Sequence, residues 1–106
     1  MFNICAHDTL LPCHPDFAAL ISFYNNTGGP LWGNKSGWQN GANGTDCNVC
    51  NWFGIQCNTL GRVNAINLPS NNITANGLPV ALANLTFLRE LRLYNNKISG
   101  TIPAII

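Results

Sequence analysis

The stretch Val63-Asn64-Ala65-Ile66-Asn67-Leu68-Pro69-Ser70-Asn71-Asn72-Ile73 is answered further along the chain by Leu88-Arg89-Glu90-Leu91-Arg92-Leu93-Tyr94-Asn95-Asn96-Lys97-Ile98. Val63 and Leu88, Ile66 and Leu91, Leu68 and Leu93, Asn71 and Asn96, and Ile73 and Ile98 all stand 25 residues apart. This is an internal repeat with the frame L-x-x-L-x-L-x-x-N-x-L, in which one unit buries its apolar side only by stacking on the next. Leu88, Leu91 and Leu93 are expected to point inward from a short strand and its approach. Asn71 and Asn96 are expected to put their amides on backbone groups of the bend that follows, satisfying donors and acceptors that turn away from a ladder. Outward positions then line up as well: Asn64, Ala65, Asn67, Pro69 and Ser70 fall beside Arg89, Glu90, Arg92, Tyr94 and Asn95.

Upstream of the repeat, Asn51 to Cys57 and Arg62 to Leu68 read as two strands around the Asn58-Thr59-Leu60-Gly61 turn, a β-hairpin. Asp16 reads as an N-cap, followed by Phe17, Leu20, Ile21 and Tyr24 at the spacing of one helical face; Thr27-Gly28-Gly29-Pro30 ends that helix. Between them, Leu31 to Cys50 is rich in Gly, Asn and Trp without helix or strand period, and is expected to be a long ordered loop pinned by Trp32, Trp38 and cysteines. Residues 1–15 read as an extended lead-in, and Pro79 to Leu85 as the side of the repeat opposite its strand.

The chain has 106 residues, 46% of them hydrophobic, which suits one globular domain. Only 8% are charged and the net charge is +1, so a nucleic-acid grip resting on basic charge is excluded. No run reaches the ~18 consecutive apolar residues of a membrane-spanning helix, and the first residues lack the basic and apolar regions of a signal peptide. Cys5, Cys13, Cys47, Cys50 and Cys57 nevertheless suggest an oxidising compartment. The N-x-[ST] pattern at Asn25, Asn34, Asn43, Asn72 and Asn84 agrees, since glycans would supply the solubility that charges do not. An extracellular or cell-surface location is therefore expected, for a chain read as a trimmed or incomplete piece. The same asparagines also serve as turn formers, the blander reading of their abundance.

Cys50-Asn51-Trp52-Phe53-Gly54-Ile55-Gln56-Cys57 matches the pattern C-x-W-x-G-[IV]-x-C, and Leu93-Tyr94-Asn95-Asn96-Lys97-Ile98-Ser99-Gly100-Thr101-Ile102-Pro103 matches L-x-x-N-x-[LI]-S-G-x-[IL]-P. With the helix behind Asp16 and Thr27-Gly28-Gly29 before Trp32 and Trp38, the chain resembles the plant-type leucine-rich repeat proteins with a cysteine-bearing N-terminal cap, from about Cys13 to Pro103. The resemblance implies an α/β fold, a solenoid fragment: a cap over residues 16–62 with helix and hairpin, then about two repeats with short parallel strands over 63–106, ending early. It implies disulfides Cys13 to Cys47 and Cys50 to Cys57, with Cys5 left over. One residue more between Ile73 and Pro79 than between Ile98 and Pro103 makes the bend of the first repeat irregular. The apolar end Ile102-Pro103-Ala104-Ile105-Ile106 invites further repeats or a second chain at that edge.

For chemistry the inventory is thin: Asp8, Asp16, Asp46 and Glu90, with His7 and His14, show no acid/base spacing, and no phosphate loop follows a strand. No enzyme, cofactor or catalytic residue is expected. Zinc on Cys47-x-x-Cys50 with Cys5, His7, Cys13 or His14 is opposed by Cys57, which fits the cap disulfide, and no metal is expected. What remains is a non-enzymatic recognition module taking a protein, peptide or glycan on the concave strand face, through Asn64, Asn67, Arg89, Glu90, Arg92, Tyr94 and Asn95. Arg92 and Tyr94 are types that anchor interfaces. Its parent would be a receptor kinase ectodomain or an inhibitor of secreted glycan-cleaving enzymes, as some relatives are. Arg89 and Glu90 are not expected to pair, because adjacent strand residues point to opposite sides.

Overall fold

Helix α1 (Phe17–Asn26) buries Ala19, Leu20, Phe23 and Tyr24 in the computed structural model, which describes residues 14–100. Phe17 and Ile21, expected on the central stripe, are its half-buried edge. The stripe is turned toward Phe23 because the chain returns across it with two indoles: Trp32 meets Phe23 at 5.7 Å and Tyr24 at 5.1 Å, and Trp38 meets Trp32 at 4.9 Å. Edge-to-face geometry suits the ring quadrupoles at these distances. The helix ends at Thr27, whose buried hydroxyl donates to the Phe23 carbonyl at 2.6 Å while its own carbonyl accepts the Trp32 indole N–H.

Leu31 to Cys50 is less irregular than expected. It holds the short helix α2 (Trp38–Ala42), flanked by 3₁₀ turns at Gly29–Leu31 and Val49–Asn51. A helix of five residues is little more than one turn and leaves no periodic pattern to read. Tertiary packing holds it: Trp38 is fully buried and donates its indole N–H to the Phe53 carbonyl, and Gly41 lies directly against the Trp52 ring, where any Cβ would collide. A disulfide between Cys50 and Cys57 ties the second 3₁₀ turn to the strand that follows. Cys47 is disulfide-bonded too; Cys13, expected opposite it, lies outside the described residues, as do Cys5 and the lead-in.

Strands β1 (Ile55–Cys57) and β2 (Val63–Asn67) form the hairpin, shorter than the runs that suggested it and interrupted by a bulge at Gln56/Cys57. Beyond β3 (Thr74–Asn76) comes a 3₁₀ segment, Val80–Asn84, then β4 (Glu90–Arg92) and β5 (Lys97–Ser99). The first sheet has the order β1-β2-β4; β2 and β4 are parallel, with Ala65, Ile66 and Asn67 opposite Glu90, Leu91 and Arg92. Every pair is 25 residues apart, the spacing of the sequence repeat. In the second sheet β3 and β5 are also parallel, but Ala75, not Ile73, lies opposite Ile98, a spacing of 23. The slip is even, so it leaves the inward side chains inward: Ile73 and Ala75 are buried and Ile98 packs against the core.

The core runs from the α1 aromatics through Val63, Ile66 and Leu68 to Ile73, Leu78, Leu82 and Leu85. Leu88, Leu91, Leu93 and Ile98 pack against it as half-buried residues.

Candidate functional site

The outward sides of β1, β2 and β4 make one face. Residues alternate across a strand, so Ala65 and Asn67 share this side with Glu90 and Arg92, while Ile66 and Leu91 turn to the core. Asn67, Arg89, Glu90, Arg92 and Asn95 are exposed, and Tyr94 is 62% exposed. Ala65 is only 4% exposed, because its small side chain lies between taller neighbours. Asn64 is half-buried and its Oδ1 is wholly buried, without a hydrogen-bond partner among the described residues.

Two contiguous depressions mark the face. One, of about 290 Å³, is lined by Gln56, Asn64, Ala65, Arg89 and Glu90; the next, of about 220 Å³, by Gly54, Ile55, Gln56, Ala65, Asn67 and Glu90. Gln56 joins the expected residues through hairpin pairing, which sets it opposite Ala65; the alternation of β1 was the signal that would have found it. Tyr94, Arg92 and Asn95 line neither depression. Glu90 pairs with Arg92 two residues on, carboxylate to guanidinium at 2.7 Å, and both side chains are well exposed, so the pair contributes little stability. Arg89 has no ion pair among the described residues. The loop beyond the strands repeats as well: Ser70 and Asn95, at equivalent positions, both take left-handed backbone, φ 53° and 59°.

The asparagines behind the face act on backbone. Asn96 Oδ1 accepts the N–H groups of Asn71 and Ile73 at 2.8 and 2.9 Å, and its Nδ2 donates to the carbonyls of Leu68 and Leu93. Asn71 does the same to Asn34, accepting its N–H at 2.7 Å and donating to its carbonyl at 2.9 Å. Asn34 is thus both a sequon residue and the rung that joins the ladder to the segment before the hairpin.

Asp16 stands where a helix N-cap would, but its side chain does not cap the helix. The carboxylate is drawn instead to a residue 46 positions away: Arg62 binds it with Nε at 3.1 Å and Nη2 at 2.7 Å, and the Val63 N–H adds a third bond at 2.8 Å. Burial alone raises the carboxyl pKa, yet the Arg62 and Val63 hydrogen bonds outweigh it and hold Asp16 below its ordinary range. Arg62 also lies over the Phe87 ring, 4.9 Å from its centre. His14 completes the cluster, accepting the Asp16 N–H on Nδ1 and donating from Nε2 to the Gly61 carbonyl.

All of Asn25, Asn34, Asn43, Asn72 and Asn84 are exposed, on α1, loops and the Val80–Asn84 segment, and none belongs to β1, β2 or β4. Cys47, Cys50 and Cys57 are held in disulfides and offer no thiolates to zinc; Cys5, His7 and Cys13 lie outside the described residues. Among the described residues, no helix is long and apolar enough to cross a membrane.

The leucine rich repeat N-terminal domain family matches residues 13–58. The leucine-rich repeat receptor-like serine/threonine-protein kinase SKM1 of Arabidopsis thaliana is 34% identical over 84 residues, 79% of this chain and 8% of the kinase. Phytosulfokine receptor 1 of the same plant is 31% identical over 121 residues, 89% of this chain and 11% of the receptor. The probable inactive receptor kinase RLK902, also from that plant, is 34% identical over 90 residues, 83% of this chain and 12% of the relative. The chain therefore spans about a tenth of the length of these relatives. Its residues 13–58 are a leucine-rich repeat N-terminal domain of the plant type, and over most of its length the chain is a distant homologue of plant leucine-rich repeat receptor kinases.

Proposed function

We propose that this chain is the N-terminal recognition module of an extracellular or cell-surface leucine-rich repeat protein, performing no chemistry and binding a protein, peptide or glycan on the face of β1, β2 and β4. Residues 16–62 act as the cap and 63–106 as the first two turns of a solenoid, with Asn64, Asn67, Arg89, Glu90, Arg92, Tyr94 and Asn95 as contact residues. The observation that carries this is the placement of the sequons: all five candidate acceptors are exposed, yet none sits on the three strands, so glycans would clothe the module and leave this face open. The continuing solenoid is supported by the edge position of β4 and by a depression of about 520 Å³ beside it, where Leu82, Leu85, Leu88 and Leu91 are bordered by Arg89 and Glu90. A parent with a kinase domain is the reading that the three relatives favour, since each is named as a receptor or receptor kinase.

The test is a glycan wedge. Pro69→Thr places a hydroxyl residue two positions after the exposed Asn67 and so creates an acceptor on the face. Chain secreted from a eukaryotic host, with its glycans verified by intact mass before and after glycosidase, is immobilised and offered the secreted and cell-surface proteins, peptides and wall glycans of its source. Ligand captured by the parent chain and by Asn84→Gln, but not by the wedge variant, supports the face. Capture that survives the wedge, or a chain secreted without any glycan, refutes the proposal.

A further inference from the structure

Resting on the reading of a glycosylated module, we infer that Asn72 carries a structural N-glycan whose first sugar seats on the exposed side chain of Leu31. Leu31, Leu60 and Val80 are aliphatic residues 75%, 74% and 74% exposed. Among the described residues, only Leu31 of the three has a sequon amide hydrogen-bonded to its backbone: Asn72 Nδ2 donates to the Leu31 carbonyl at 2.9 Å. The nitrogen that would bear the sugar is therefore already against the residue that the sugar would cover. Both roots are fixed. Asn96 Oδ1 holds the N–H groups on either side of Asn72, those of Asn71 and Ile73, and Asn72 itself takes left-handed backbone, φ 58°, which asparagine tolerates. Leu31 closes the Gly29–Leu31 turn, its N–H on the Gly28 carbonyl at 2.8 Å. Asn72 Nδ2 has two hydrogens; one stays on the Leu31 carbonyl and the other is replaced. In that transfer Nδ2 bonds to the anomeric carbon of an N-acetylhexosamine and gives up a proton, while the bond from that carbon to a polyprenyl diphosphate donor breaks, its electron pair leaving on the phosphate oxygen. A sugar rooted at a held nitrogen loses little further freedom on packing, and its C–H face takes the Leu31 side chain out of water.

The test uses the full, disulfide-bonded chain secreted from a eukaryotic host, labelled at its leucine methyls, with its glycans trimmed by endoglycosidase to the first sugar. Thr74→Ala, at an exposed position, abolishes the acceptor pattern but keeps the Asn72 amide on Leu31, so the sugar is separated from the bare hydrogen bond. Glycopeptide mass spectrometry is expected to find the sugar on Asn72, and NMR to give NOE contacts between its ring protons and the Leu31 methyls. Thr74→Ala should lower the urea midpoint by about 0.5 M, the worth of covering part of a leucine. In a Leu31→Ser background the same change should cost less than about 0.2 M. Thr86→Ala, which removes the Asn84 sequon, should leave the midpoint within about 0.2 M of the parent. An unmodified Asn72 on a chain glycosylated elsewhere, missing NOE contacts, or a Thr74→Ala loss that persists with Leu31→Ser or is matched by Thr86→Ala overturns the structural glycan. None of these results touches the recognition face, which stands or falls with the Pro69→Thr wedge; a chain secreted without any glycan overturns both.

Discussion

Replacing Asn96 by Ala removes one side chain and strands the backbone of two repeats. Its Oδ1 is the acceptor for the N–H groups of Asn71 and Ile73, residues only 4% and 0% exposed, so water has poor access to either donor. An unsatisfied buried donor costs about 1–3 kcal/mol. The carbonyls of Leu68 and Leu93 lose a donor as well, but a carbonyl has a second lone pair and tolerates the loss better. Asn96 itself is half-exposed, which keeps each term toward the lower part of its range. The sum is about 3 kcal/mol, a large share of the ~5–15 kcal/mol that holds a domain folded. With a urea dependence of about 1.5 kcal/mol per molar, the unfolding midpoint of Asn96→Ala, followed by indole fluorescence, falls by about 2 M. Asn96→Asp separates the two halves of the amide: it keeps an acceptor for both N–H groups and sets charge against the Leu68 and Leu93 carbonyls. It is therefore also destabilised at neutral pH, and its deficit relative to the parent chain narrows on acidification, when the new carboxyl regains a donor. A midpoint shift for Asn96→Ala smaller than about 0.3 M, with parent-like fluorescence, would refute the view that the ladder supports the repeats.

Two further outcomes follow from the packing. Asp16 has a lowered carboxyl pKa in the folded chain, so its contribution is fully present above its ordinary value of 3.8 and is lost as pH falls through the lower folded value. Asp16→Asn should lower the urea midpoint at pH 7 and flatten its decline in that acid window; an unchanged acid limb would show that the Arg62 bond is not what titrates. Gly41→Ala should destabilise the fold by about 1–3 kcal/mol through the collision with Trp52, despite a gain of about 1 kcal/mol in helix propensity. A more stable Gly41→Ala protein by thermal melting would mean that α2 shifts freely away from the indole.

What the sequence made legible was whatever repeats. The spacing of Val63 and Leu88 carried directly into the register of β2 and β4, because stacked units must present equivalent residues side by side. Where two units differ in length the match loosened, and Ala75 rather than Ile73 came to lie beside Ile98. Asp16 was legible only in part: it does stand at the N-cap of α1, but Arg62, the partner its carboxylate binds, is 46 positions away and no spacing rule links them. Asn34 was hidden in the same way, 37 residues from Asn71 and outside the 25-residue frame. α2 escaped because one turn held by Trp38 and Trp52 has no period. On the candidate face the charged residues were legible as outward positions, but Gln56 and the buried Asn64 Oδ1 came only with the hairpin register and the packing.

These non-local bonds also bear on what the face can do. β2 is gripped at both ends by side chains, Asp16 taking the N–H of Val63 before it and Asn96 the carbonyl of Leu68 after it. β4 is bracketed in a related way: Arg62, the partner of Asp16, lies over Phe87 on the approach to the strand, and Asn96 binds Leu93 directly behind it. Strands of three and five residues would be marginal alone. Held in this way, Asn64 to Asn67 and Arg89 to Arg92 are already ordered before a ligand arrives. Fixing the backbone of a residue costs about 1–2 kcal/mol, so binding on these strands is spared a penalty that a loop-borne site of equal area would bear. The Asn96 and Asp16 variants should therefore weaken ligand capture even where the chain stays folded, although neither side chain lines either depression of the face.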